Sequence, residues 1–313
     1  MTKQLFILLL ISSFFITSCV QDPLEDDTDI MDDMNGVCFQ EVTGDCAALS
    51  QHATMVEISN NSCSGYCIMR KFLESCPTDL NINGQDLSVS GYLSIFYDNP
   101  NFGFDDVIAT NVLVHESTHS LAHTEANNAD DLYVILDCDT DWQVEMTTTF
   151  PSNELINVID PELRTSRFEA YIVASQFHVT QTRGVYGLLN EYMSYYQSGL
   201  VTYEMSKSMN LLDNPNEAIL YSINAAIPYY EFKYWILTYL IYAKENHPAI
   251  YTEILSNENF KDSFITIDQA FSDLADEIST FADPLSSSTE VNTINVIMEL
   301  GSDPYMEMMS LLE

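Results

Sequence analysis

Apolar and polar positions change period several times along the chain, and each change marks an element. A single cation at Lys3 precedes the apolar run Leu5 to Ile16, which is shorter than the roughly 20 residues a membrane-spanning helix needs. Residues 20–36 are rich in Asp and contain no Lys or Arg, so that segment repels itself and stays solvated. Alternation in Leu87-Ser88-Val89-Ser90-Gly91-Tyr92-Leu93-Ser94-Ile95 predicts strands within Leu80 to Tyr97. A stretch without Pro or Gly then runs from 104 to 150, and Val112, Leu113 and Leu121 within it suit a helix. Phe168 to Thr180 fits a strand or a helix. After Gly187, Leu188, Tyr192 and Tyr195 recur at i, i+4 and i+7, which predicts a helix ending before Gly199. The strongly apolar stretch Asn216 to Asn246 is interrupted by Pro228, Glu231 and Lys233 and reads as a buried helix pair. Helical patterns resume over Ala249 to Glu258, Ile267 to Phe281 and Val291 to Leu312, separated by Pro248, Pro284 and Gly301-Ser302-Asp303-Pro304. The expected class is α+β, with strands before the helix that contains residue 115 and a mostly helical C-terminal half.

Charge narrows the function classes. The chain of 313 residues carries 10 Lys+Arg against 47 Asp+Glu, a formal charge of -37. Nucleic-acid binding needs clustered Lys and Arg to displace counterions, and the cations here are dispersed from Lys3 to Lys261. With 46% apolar and 12% aromatic residues the chain still has the material for a sizeable core.

The N-terminal run ends in Ile16-Thr17-Ser18-Cys19, which resembles the lipobox of bacterial lipoproteins. That resemblance implies a signal peptide over 1–19, lipidation of Cys19 and, with Val20 following it, an outer-membrane lipoprotein. Residues 20–36 are then an acidic tether holding the folded part off the lipid, an arrangement similar to surface-export signals. Contact with the membrane is expected only through the anchor at Cys19. Six further cysteines, Cys38, Cys46, Cys63, Cys67, Cys76 and Cys138, enter an oxidising compartment and favour disulfides over a thiolate metal site. Five lie between 38 and 76, so complete pairing requires one of them to bond Cys138.

The chemistry is concentrated in His115-Glu116-Ser117-Thr118-His119. On a helix, histidines four residues apart lie about 40° apart on one face and can share one ion. In this H-E-x-x-H arrangement two His nitrogens ligate Zn²⁺, and the Glu beside the first His takes a proton from the attacking water. His123 is a poor third ligand, because it sits about 12 Å along the helix from His115. It suits an outer-sphere or helix-face role. The metzincin pattern requires Gly at 122 and His at 125, where this chain has Ala122 and Glu125.

A third ligand is required, and Glu191 is a good candidate: a carboxylate set among Leu188, Leu189, Tyr192 and Tyr195 is expensive to bury unless a cation meets it. With Asn190-Glu191 on a helix after H-E-x-x-H, the sequence resembles the gluzincins, zinc metallopeptidases with two His on one helix and a Glu ligand on a later one. The resemblance covers these two helices. It implies that His115, His119 and Glu191 hold zinc and that Glu116 is the general base. Glu145, Glu169 and His178 lie in the intervening stretch and compete with Glu191. A donor for the developing oxyanion is also needed. Tyr195, one turn after Glu191, is the foremost candidate, with Tyr186, Tyr192 and His178 as competitors. Asp105, Asp106 and Asp130 are candidates to accept the outer N–H of a ligating His.

Asp137-Cys138-Asp139-Thr140-Asp141 opens like a calcium loop, but Trp142 and Thr148 stand where an EF-hand needs Gly and Glu, so an acidic turn is expected. The expected organisation is a domain over 37–313, comprising a cysteine-rich part (37–100), a zinc site (101–200) and a helical part (201–313). The function implied is a zinc hydrolase cleaving peptide or protein substrates. The rival is a non-catalytic surface lipoprotein that binds a glycan, peptide or protein on a degenerate peptidase scaffold.

Overall fold

The computed structural model describes residues 41–78, 80–82, 85–97, 106–209, 215–280 and 291–313. The signal, Cys19, the acidic tether, Cys38 and Asp105 lie outside the described residues. Helices dominate: α1 (Ala53–Asn61), α2 (Cys63–Ser75), α3 (Val89–Tyr97), α4 (Asp106–Thr124), the single turns α5 (Phe168–Tyr171) and α6 (Val179–Thr182), α7 (Val185–Ser208), α8 (Pro215–Asn246), α9 (Pro248–Leu255), α10 (Glu258–Ser279), α11 (Val291–Leu300) and α12 (Asp303–Leu312). Two antiparallel hairpins complete the α+β set, β1 (Leu80–Ile82) with β2 (Gln85–Leu87), and β3 (Asp131–Ile135) with β4 (Asp141–Glu145). Among the described residues no helix is long and apolar enough to cross a membrane.

Three expectations need correction. The segment from Val89 to Tyr97 is helical, because its buried residues Val89, Tyr92 and Leu93 stand at i, i+3 and i+4. The Ser88 hydroxyl accepts from the Gly91 N–H at 3.2 Å and so caps it. Among the described residues, strands therefore precede α4 only as the short β1–β2 hairpin, and a second hairpin follows it. The expected helix pair over 216–246 is the single helix α8: Pro228 removes one ladder donor, but Ala226, Ile227, Phe232, Trp235 and Ile236 keep a buried face on both sides of it. The helix containing Glu191 does not stop before Gly199 but continues to Ser208.

α7 is the central element, buried over most of its length, with α4 packed along one side and α8 along another. Asn111 of α4 donates to the Ser198 carbonyl (2.8 Å) and to the Thr202 hydroxyl (2.7 Å), fixing the rotation of one helix against the other. Gln197 donates to the carbonyls of Ile135 and Leu136, so α7 also holds the β3–β4 hairpin. Asp137–Asp141 is the tip of that hairpin, an acidic turn in which the Asp137 carboxylate accepts from the Asp139 N–H. Cys138 at this tip bonds Cys67 of α2, the long-range staple that cysteine parity requires; Cys46 bonds Cys76, and Cys63 is also disulfide-bonded.

The start of α7 is set by two glycines. Gly184 adopts φ 52°, open to glycine at little cost, and its backbone lies against the Tyr239 hydroxyl and the Phe150 carbonyl. A β-carbon at Gly187 would sit 2.3 Å from the Val179 carbonyl oxygen. Gly187→Ala is expected to lower unfolding stability by about 2–3 kcal/mol, as overpacking against backbone does, measured by urea denaturation in chelator. An unchanged midpoint would mean that α6 does not press on α7.

Candidate metal centre

Two buried helices supply the site. α4 carries His115 and His119 one turn apart with Leu113, Val114, Leu121 and Ala122 packed into the core around them. α7, launched from Gly184, brings Glu191 opposite. The three candidate ligand atoms converge: His115 Nε2 lies 3.1 Å from His119 Nε2, and Glu191 Oε2 lies 3.3 Å from His119 Nε2 and 3.6 Å from His115 Nε2. Ligand atoms about 2.0–2.1 Å from one tetrahedral ion are separated by about 3.3–3.4 Å, so the donor set and its spacing fit zinc. Among the described residues this is the group of three that could hold a metal ion.

Chemistry points the same way. Two imidazole nitrogens facing each other at this distance repel unless a proton or a cation lies between them. Glu191 Oε2 is buried and faces only the two imidazole nitrogens, a costly place for a carboxylate oxygen unless a proton or a cation is shared there. The His119 tautomer is also set for ligation. Its Nδ1 lies 3.2 Å from Asn190 Oδ1, an atom that only accepts, so a neutral His119 carries its proton on Nδ1 and turns its Nε2 lone pair to the cluster. The Ser194 hydroxyl approaches the same Nδ1 at 3.3 Å.

In the metal-free protein the cluster is an ion pair. Burial opposes charge on His119, but the Glu191 carboxylate, with smaller help from Glu116 and Asn190, outweighs it and lifts the imidazole to about 9. Burial likewise opposes charge on Glu191, and the imidazoles of His119 and His115 hold its carboxyl well below the ordinary carboxylate range. Exposure is uneven: the His115 and Glu191 side chains are 6% and 5% exposed, whereas His119 is 19% and His178 is 30% exposed. Solvent therefore reaches the cluster from the side of His119 and His178.

The remaining sequence candidates separate clearly. Glu116, half-buried on α4, is close enough for its charge to act on His119 and on the Tyr92 hydroxyl. Glu145 and Glu169 are exposed and outside the cluster. His178 is near it, with Nε2 3.8 Å from Glu191 Oε1, while its other ring nitrogen caps α6 by accepting from the Thr180 N–H. Tyr195 is buried against the cluster, its ring 4.6 Å from that of His115 and its hydroxyl 2.8 Å from the Tyr171 hydroxyl. Burial pushes the Tyr195 hydroxyl up to about 12, so it remains a donor at neutral pH. Tyr186 and Tyr192 are committed elsewhere, to the Thr147 hydroxyl and to Asp268. Asp130 does not serve the histidines: its charge acts on Arg183. The side chain of Asp106 lies outside the described residues.

Two features were missed by sequence reasoning. The partner of the His119 N–H is the Asn190 amide, not a carboxylate; the Asn-Glu pair itself was the available signal, since adjacent residues on α7 reach the same histidine. Behind Tyr195 lies a buried ion pair, Arg167 with Glu231 at 2.9 Å, with the guanidinium 5.3 Å from the Tyr195 ring. No local pattern announces it. Comparison with known proteins yields no matching family model, no matching curated relative and no matching solved structure, so what the chain does is argued from this cluster.

Proposed function

We propose that the protein is a zinc-dependent hydrolase that cleaves peptide bonds and is held at the outer membrane by a lipid on Cys19. The observation carrying this reading is the convergence of His115 Nε2, His119 Nε2 and the buried Glu191 Oε2 at tetrahedral spacing. These three residues would hold the ion. When bound, zinc supplies the Lewis acidity that brings a water's pKa toward ~7 and polarises a carbonyl. Glu116, beside His115 on the same helix, accepts the proton from the attacking water and returns it to the leaving amine. Asn190 keeps the His119 proton on the outer nitrogen. His178, whose Nε2 faces Glu191, is one donor for the developing oxyanion, and Tyr195, protonated at neutral pH, is the other if its hydroxyl turns from Tyr171. The assignment of peptide as substrate follows the gluzincin resemblance, since the same chemistry hydrolyses other amides and esters.

The test combines elemental analysis after dialysis with digestion of a peptide library. About one zinc per chain and cleavage that stops with chelator and returns with zinc are expected. Zinc without cleavage would leave a metal-holding lipoprotein, and a chain without zinc would leave an anchored binding protein.

A further inference from the structure

Arg183 turns its guanidinium to a histidine beside the metal centre, in a chain with 47 carboxylates to offer. Among the described residues Arg70, Lys71, Arg167, Lys233 and Lys261 are ion-paired, whereas Arg164 and Lys207 bond backbone carbonyls and a tyrosine hydroxyl instead. Among the described residues Arg183 has no such pair. It donates instead to a histidine, His123 Nδ1, at 3.0 Å. Asp130 acts on it electrostatically without forming an ion pair.

Its position is fixed, and it is beside the metal centre. The Arg183 N–H donates to the Val179 carbonyl at 2.9 Å, its carbonyl accepts from Tyr186 at 3.1 Å, and the next residue is Gly184, wedged against Tyr239 and Phe150. The backbone is thus anchored by the same turn that aims α7. The side chain reaches α4 at His123, one turn beyond His119 and about 6 Å along the axis. It does so on the accessible side of the cluster, where His119, His178 and His123 meet solvent.

From this juxtaposition we infer that Arg183, supported by His123, binds a substrate carboxylate one or two residues from the scissile bond, making the site selective for substrates bearing a carboxylate at that distance. The inference rests on the metal-centre reading above. An extended residue spans about 3.3–3.6 Å, so one or two residues bridge the offset from His119 to His123. A guanidinium offers a planar pair of donors that matches a carboxylate, and with a histidine neighbour and only the distant Asp130 charge its ion-pairing face stays open to the ligand. The shared chemistry is the carboxylate; a peptide C-terminus and an acidic side chain both supply it.

The experiment is calorimetric titration of zinc-loaded full chain with three thiol ligands: a mercaptoacyl amino acid with a free carboxylate, its carboxamide, and a mercaptoacyl glutamate whose terminus is amidated. The free carboxylate is expected to bind about 10- to 100-fold more tightly than the carboxamide, the range of a charge-assisted hydrogen bond. The third ligand reports the source: tight binding means an acidic side chain serves, weak binding means the chain terminus is required. In Arg183→Ala and Arg183→Gln the preference falls below threefold, and Arg183→Lys retains part of it. Equal binding of acid and amide by the parent protein, or a preference that survives in both neutral variants, overturns the role of Arg183 while the metal centre stands. A chain that takes up no zinc overturns both.

Discussion

Replacing Glu116 by Gln is expected to leave about one zinc per chain and to lower hydrolysis at neutral pH by about 10²- to 10⁴-fold, the contribution of a positioned general base. The substitution preserves the shape of the side chain and removes its proton affinity. Glu116 is not one of the three converging ligands, so metal stoichiometry by elemental analysis should not change. The loss should fall on kcat more than on KM, because proton transfer occurs on the way to the transition state and not on binding. A variant that keeps its zinc and cleaves within threefold of the parent rate would end the assignment of Glu116 as base. A variant that loses zinc would instead show that this carboxylate supports the cluster itself.

How much of this was legible beforehand follows from the range of each interaction. His115 and His119 lie on one helix turn, and their alignment follows from the helical period without knowledge of the rest of the fold. Glu191 was accessible to reasoning through a single physical argument, that a carboxylate among apolar neighbours needs a cation. Its rivals Glu145 and Glu169 could be set aside only once the fold placed them on the surface. The misread elements failed at period ambiguity and at context. Leu87 to Ile95 alternates apolar residues with small polar ones and also contains an i, i+3, i+4 set, so the cap at Ser88 and packing against the core decide for a helix. Pro228 predicts a break that the continuous buried face of α8 overrides. β3 was missed because it is buried throughout and short, a pattern periodicity does not separate from a helix segment.

The supports behind the cluster were least legible, since each is made across distant chain segments. Arg167 and Glu231 meet only because α8 crosses behind α7, and the pair then fixes the Tyr195 ring that backs His115. The three candidate ligands thus sit on two buried helices, with their rotamers held by Asn190 and the tyrosines, the arrangement that a preorganised metal site would need.

Glu191→Gln should abolish retention of zinc through dialysis and also invert the acid–base behaviour of the metal-free site. With Glu191 present, the His119 imidazolium is stabilised, and its pKa stands near 9 against 6.5 for an ordinary histidine. A folded-state pKa raised in this way contributes stability that is fully present below about 6.5 and is lost as pH rises through about 9. Glu191, whose pKa is depressed, contributes stability above its ordinary value of 4.5 that is lost on acidification. The metal-free parent is therefore most stabilised by this pair between about pH 4.5 and 6.5. Zinc demands the opposite protonation, because His119 must give up its proton to ligate, so zinc affinity should rise about tenfold per pH unit up to 9, and uptake at pH 7 should release about one proton. In Glu191→Gln the largest opposing charge is gone and burial is met only by the smaller effects of Glu116 and Asn190, so the His119 pKa falls well below its parent value. Histidine titration by NMR in chelator reads this directly, and calorimetry in buffers of different ionisation enthalpy counts the released proton. Should His119 titrate near 6.5 in both proteins, or zinc bind the parent without proton release, the carboxylate of Glu191 does not face that imidazole and the three-ligand centre is wrong.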